Sequence, residues 1–188
     1  MQKRSHTLLA SNLLRSRGGF GARRFALAFL FGSFQPDCNP LSYLKGSLRA
    51  RTFHGHHFSN SRPYIYSRIL RLQRRRRWTV WQYYTLGKLT HYLADAFTYP
   101  HNEHFPDSLL QHRQYEGALR LYLADYLPRH IFCANLCPPQ MLLPTLDAMH
   151  RQYLTGSASL QRDAHYILTA TELLVSGCLP YAGFIKIA

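Results

Sequence analysis

The chain has 188 residues, of which 46% are hydrophobic and 14% aromatic, and its 23 Lys and Arg against 9 Asp and Glu give a formal net charge of +14. That length supports one domain with a core that needs no disulfides, and the apolar and aromatic content excludes a disordered basic tail. Residues 1–90 hold 17 of the basic residues and a single acid, Asp37, an excess that attracts polyanions such as nucleic acid or an anionic lipid surface.

The pattern along the chain is helical throughout. Ser5 can cap a first helix over residues 5 to about 15, in which Leu8, Leu9, Leu13 and Leu14 recur at helical spacing. Gly18, Gly19 and Gly21 separate it from the apolar run Phe25 to Phe31, which follows Arg23-Arg24. That run resembles the short apolar region behind a twin-Arg export signal. It is too short to cross a bilayer, and it reads better as a core helix ending at Gly32. The favoured location is therefore cytoplasmic, peripheral to a membrane at most, with export as the alternative.

Residues 32–63 read as loop, punctuated by Pro36, Pro40, Gly46, Gly55 and Pro63. A helix over residues 64 to about 77 follows, with Ile65, Ile69, Leu70 and Leu72 as its apolar stripe and Arg74 to Arg77 as a solvated, dipole-compatible end. Residues 79 to about 99 form the most strongly helical segment. Further helices are expected over residues 107 to 127, capped by Asp107 or Ser108, over 139 to 154 with a break at Pro144, and over 159 to 179. No long run alternates with period two, so the fold class is all-α, a single-domain bundle of many helices over residues 1–188. Cys38, Cys133, Cys137 and Cys178 contain no C-x-x-C pair and are expected to be reduced, mostly buried thiols.

The chemistry lies in residues 91–116. His91 and Asp95, and again His112 and Glu116, are four residues apart, which places each imidazole beside a carboxylate on one helix face. His101 follows Pro100 in the connection between the two helices. An isolated His-x-x-x-Asp pair is usually a surface feature. Here Asp95 lies among Leu89, Tyr92, Leu93 and Ala96, where an ionised carboxylate is costly unless paired or bound to metal. A buried His–Asp hydrogen bond would explain that pair alone, but not a second pair plus a His at the break. Imidazole with carboxylate and no thiolate suits zinc or a similar divalent ion in a hydrolytic site.

Other metal motifs fail. There is no H-E-x-x-H; His101-Asn102-Glu103 lacks the P-C-x-x-C that a deaminase needs; and di-iron bundles use Glu-x-x-His rather than these His-first pairs. No P-loop or G-x-S-x-G elbow occurs. What remains is a multinuclear His/Asp/Glu site for phosphoester hydrolysis.

The run His91-x3-Asp95-x5-His101 followed by His112-x3-Glu116 resembles the ligand pattern of the zinc-dependent phospholipase C family, whose superfamily includes single-strand-specific nucleases. The resemblance covers about residues 5–120, leaving about 121–188 as helical scaffold. It implies an all-α domain holding zinc, with Asp95 bridging two ions and His101, His112 and Glu116 holding another. It also implies earlier ligands: His6, Asp37, and a His from His54-Gly55-His56-His57-Phe58. His57 matches a His-Phe pair of the secreted enzymes, His56 is equally placed after Gly55, and His54 is expected beside the site or at the surface. As the only acid among 90 residues, Asp37 is the residue matched to a metal ligand and general base, although a turn-capping role after Pro36 is the alternative.

Secreted family members also use a mature N-terminal Trp as a ligand, and here no Trp precedes Trp78; the His101 to His112 gap is also shorter than in those enzymes. The implied complement is roughly two to three zinc ions. The implied reaction is metal-assisted hydrolysis of a phosphodiester, with Asp37 orienting or deprotonating the water and aromatic residues such as Tyr84, Tyr92, Phe97 and Tyr99 lining the lipid side or filling the core. Phospholipid, presented at an anionic membrane surface, is the favoured substrate. A nuclease-like activity on the same metals and a non-enzymatic basic protein with a structural zinc site are the alternatives.

Overall fold

The computed structural model describes residues 1–38, 58–102, 108–132 and 137–179. In chain order the helices are α1 (Lys3–Ser16), α2 (Arg23–Cys38), α3 (Phe58–Gln73), α4 (Val80–Ala96), α5 (Leu109–Tyr126), α6 (Leu142–Leu154) and α7 (Leu160–Cys178). Short 3-10 turns at Tyr99–His101 and Pro139–Met141 complete them, and no strand occurs among the described residues. The fold is all-α, as the periodicity predicts.

Local chemistry sets several ends. Thr79 and Gln82 form a capping box at the start of α4, and Ser108 and Ser159 accept backbone N–H bonds at the starts of α5 and α7. Asp107, the other candidate cap for α5, lies outside the described residues. Pro144 sits in the first turn of α6, where its missing N–H costs no intrahelical bond. The expected break comes earlier, at the 3-10 turn before Leu142.

Three expectations are corrected. Ser5 is not a cap: α1 begins at Lys3 after Gln2, and Ser5 is buried within the helix. The third helix begins at Phe58 and ends at Gln73, so Arg74 to Arg77 lie exposed in the following turn. Most important for function, α2 does not end at Gly32 but continues to Cys38. Gly32 permits close contact instead of termination, because a Cβ there would run into the Tyr84 carbonyl oxygen. Gly87 does the same in the other direction, against the Phe29 carbonyl. Pro36, near the helix end, removes a single intrahelical donor and is tolerated.

These two glycines bring α2 and α4 into close parallel packing. Phe25 stacks on Tyr83 with ring centroids 4.6 Å apart, Phe29 meets Gly87, and the Ser33 carbonyl reaches His91, all in one register. Residues Leu86, Leu89 and Tyr92 to Ala96 of α4 are all buried, so this helix is the axis of the core. α7 supplies a second buried helix, with Ile167, Leu168, Ala170, Leu174 and Val175 inside. Tyr92 and Phe97 are core residues and do not line a lipid side; Phe97 stacks on Tyr166 of α7 with centroids 5.7 Å apart. Among the described cysteines, Cys178 is buried, Cys137 half-buried and Cys38 exposed, and all three are free; Cys133 lies outside the described residues. No described helix is long and apolar enough to cross a membrane.

Candidate metal centre

The continuation of α2 past Gly32 carries Asp37 to the end of the α2–α4 pair, where His91 and Asp95 project from α4 and His6 from α1. His6 and His91 stack with ring centroids 3.8 Å apart. His6 Nε2 is 3.2 Å from Asp95 Oδ1, and His91 Nε2 is 3.3 Å from Asp95 Oδ2. Asp37 completes this group, 3.6 Å from His91 Nε2 and 4.0 Å from His6 Nε2. The Asp95 side chain is fully buried and that of Asp37 is 16% exposed, so of these two carboxylates Asp37 is the one that solvent reaches.

A second group adjoins the first. The 3-10 turn after α4 turns His101 inward, and α5 presents His112 and Glu116 one turn apart. The Nε2 atoms of His101 and His112 are each 3.1 Å from Glu116 Oε1. One ligand atom from each of His6, His91 and Asp95 lies within 4.8 Å of the others, and the same holds for His101, His112 and Glu116. Asp95 links the groups, with Oδ1 also 3.8 Å from His101 Nε2.

The structure brings His91, Asp95, His101, His112 and Glu116 together, with His6 and Asp37 beside them. His54, His56 and His57 lie outside the described residues. The α-amino group of Met1, which sequence reasoning missed, sits between the two groups. It lies 2.6 Å from Asp95 Oδ1, 2.9 Å from His101 Nε2 and 3.0 Å from Glu116 Oε1. No local pattern could signal it, because the contact depends on where α1 docks.

The donor arithmetic asks for a cation. His91 Nδ1 lies 2.9 Å from the Ser33 carbonyl oxygen, which can only accept, so Nδ1 is the donor and fixes the tautomer. In the neutral ring Nε2 then presents a lone pair to two carboxylates. Acceptors facing acceptors are reconciled by a metal ion or an added proton. His6, fully buried, has neither ring nitrogen in a hydrogen bond among the described residues. Burial pushes its pKa down to about 3, so it stays neutral. His101 is pushed down to about 4 by burial and by the Met1 ammonium.

The carboxylates stay ionised. Burial alone would raise Asp95, but the Met1 ammonium, then His101, His6 and His91, hold it well below the usual carboxylate range. Burial also opposes the ionised form of Glu116, and hydrogen bonds from His101 and His112 outweigh it. The ammonium itself is raised to about 10: burial pushes it down, but Asp95 and Glu116 more than compensate. Imidazole nitrogens beside the ionised carboxylates of Asp95 and Glu116 are donors of the kind a divalent metal takes, and the Met1 ammonium among them shows that the cluster favours a cation.

A supporting carboxylate lies farther along the chain. Asp163 of α7 is fully buried, and its Oδ2 accepts from the Tyr99 backbone N–H at 2.9 Å and from the Tyr115 hydroxyl at 3.0 Å. Its Oδ1 accepts from the Tyr153 hydroxyl at 2.7 Å. Tyr99 opens the turn that ends at His101, and Tyr115 immediately precedes Glu116. One carboxylate therefore ties together the backbone supports of the second group.

Comparison with curated proteins and with solved structures gives no match. The sequence model of one family, described as zinc dependent phospholipase C, matches residues 5–160. That span takes in both side-chain groups, and the chain belongs to the zinc-dependent phospholipase C family.

Proposed function

We propose that this chain is a phospholipase C-like phosphodiesterase that cleaves phospholipid with a metal-activated water, residues 1–188 forming one catalytic domain. The observation that carries the reading is the pair of imidazole–carboxylate groups joined by Asp95, with His91 Nε2 turned by Ser33 toward carboxylates. His6, Asp37, His91 and Asp95 would hold zinc at one end of the centre and His101, His112 and Glu116 at the other, for roughly two to three ions. Zinc, when bound, acidifies a water and neutralises charge on the phosphate oxygens.

The protein's own residues then divide the work. Asp37, the solvent-facing carboxylate, orients the attacking water and accepts its proton as the oxygen adds to phosphorus. The phosphorus–oxygen bond to the glycerol breaks, and that oxygen takes a proton from solvent. Buried Asp95 keeps the two groups in register, and Ser33 holds the His91 ring. His112, with its side chain 28% exposed, marks the open side through which a headgroup would enter. The surrounding excess of positive charge favours an anionic phosphoester.

The test is hydrolysis by zinc-loaded protein of phosphatidylcholine vesicles beside single-stranded DNA. Release of diacylglycerol and phosphocholine with the DNA intact is the expected result. Cleavage of DNA with intact lipid would replace the reading by a nuclease, and zinc binding with neither activity would replace it by a structural zinc protein.

A further inference from the structure

The parallel α2–α4 pair that bears Asp37, His91 and Asp95 also carries an apolar strip on its outer surface. Leu27, Phe31 and Phe34 recur at helical spacing along α2, and Trp81, Tyr84 and Lys88 do so along α4. Trp81 is 72% exposed, Leu27 55% and Phe31 52%. The strip is continuous: ring centroids are 6.0 Å apart for Trp81 and Tyr84, 5.9 Å for Tyr84 and Phe31, and 5.5 Å for Phe31 and Phe34. Apolar patches of this kind mark interaction surfaces more often than isolated exposed residues do.

The charged side chains packed on its rings are cationic. Lys3 Nζ lies 4.7 Å from the Phe34 ring and Lys88 Nζ 5.6 Å from that of Tyr84. Because the helices run parallel, Arg23 and Arg24 at the start of α2 and Arg74 to Arg77 before α4 gather at one end of the strip, all exposed. The first turn of a helix disfavours cations, so Arg23 and Arg24 do not serve α2 itself. The strip's far end on α2 is one turn from Asp37.

We propose that this face docks the protein on an anionic phospholipid bilayer. Trp81, Phe31 and Leu27 enter the boundary between headgroups and acyl chains, and the arginines engage headgroup phosphates. The docking deepens the phospholipid reading above and rests on it for its purpose, delivering the Asp37 end of α2 to the lipid surface. An indole and a phenol suit the interface, and Leu27 and Phe31 suit the acyl boundary. A nucleic-acid groove would instead need stacking platforms throughout, and the aliphatic Leu27 is not one.

Sedimentation with vesicles of phosphatidylglycerol and phosphatidylcholine, using the zinc-loaded full chain, provides the test. A Phe31→Ala/Trp81→Ala variant, with thermal unfolding compared to exclude misfolding, is expected to bind at least tenfold more weakly. Its hydrolysis of a short-chain phosphatidylcholine kept monomeric should stay unchanged, since neither residue touches the metal centre. Unaltered vesicle binding by a folded variant would overturn the docking, as would wild-type protein that hydrolyses the monomeric lipid without binding vesicles. Wild-type capture of single-stranded DNA but not vesicles would overturn it in favour of nucleic acid. Vesicle binding that depends on Phe31 and Trp81, in a protein without hydrolysis, would sustain the docking and remove the phospholipase reading.

Discussion

Asp95→Asn protein is expected to lose at least one zinc ion per chain and to hydrolyse phospholipid about 10³-fold more slowly than wild type, a loss of ~4 kcal/mol of transition-state stabilisation. The substitution keeps the shape of the side chain and removes the charge that holds both imidazole groups in register. Thermal unfolding with and without zinc separates a metal centre from a structural His–Asp pair. Ligand that binds only the folded state stabilises it by about 4 kcal/mol at a thousand times its dissociation constant. Wild type should show a large zinc-dependent rise in Tm, and Asp95→Asn should lose most of it. Equal rises in both proteins would mean that Asp95 serves packing alone.

The second large effect is expected at Asp163, outside the two imidazole–carboxylate groups. Asp163→Ala would strand the Tyr99 N–H and the hydroxyls of Tyr115 and Tyr153. Losing buried hydrogen bonds to a charged acceptor costs roughly 3 kcal/mol in all. Because two of those donors flank His101 and Glu116, zinc loss should begin at the second group while the His6, His91 and Asp95 group keeps its ion. Metal titration with stoichiometry, beside chemical unfolding, measures both effects. Unchanged zinc stoichiometry in a destabilised but folded variant would limit Asp163 to the scaffold.

The legibility of the site follows interaction range. His91 with Asp95 and His112 with Glu116 are one helical turn apart, so spacing alone places them side by side, and the structure does so at 3.3 and 3.1 Å. His6 and Asp37 needed the family pattern, because their approach depends on how α1 and α2 dock. The assignment of residues 32–63 to loop failed where tertiary packing overrode local signals. Gly32 and Pro36 have the chemistry of helix breakers, yet Gly32 is required by the Tyr84 backbone and Pro36 falls near the helix end. Asp163 was invisible for the same reason as Met1: its partners at Tyr99 and Tyr115 are distant in sequence, and nothing near it in the chain marks a buried acceptor. Burial raises its pKa to about 6 even though Tyr99, Tyr153 and Tyr115 all donate to it.

Charge placement was partly legible as well. The bias of residues 1–90 toward Lys and Arg suggested a polyanion, but only the parallel α2–α4 pair gathers Arg23, Arg24 and Arg74 to Arg77 at one end of an aromatic strip. The sole acid of that half, Asp37, lies at the opposite end with the imidazoles and carboxylates of the candidate centre.

Zinc content tests the central claim most directly: that the converging imidazoles and carboxylates form a metal centre and not a buried hydrogen-bond network. Elemental analysis of the full chain, purified without chelator and dialysed against metal-free buffer, is predicted to find roughly two to three zinc ions per chain. Fewer than one tightly held zinc per chain would contradict it.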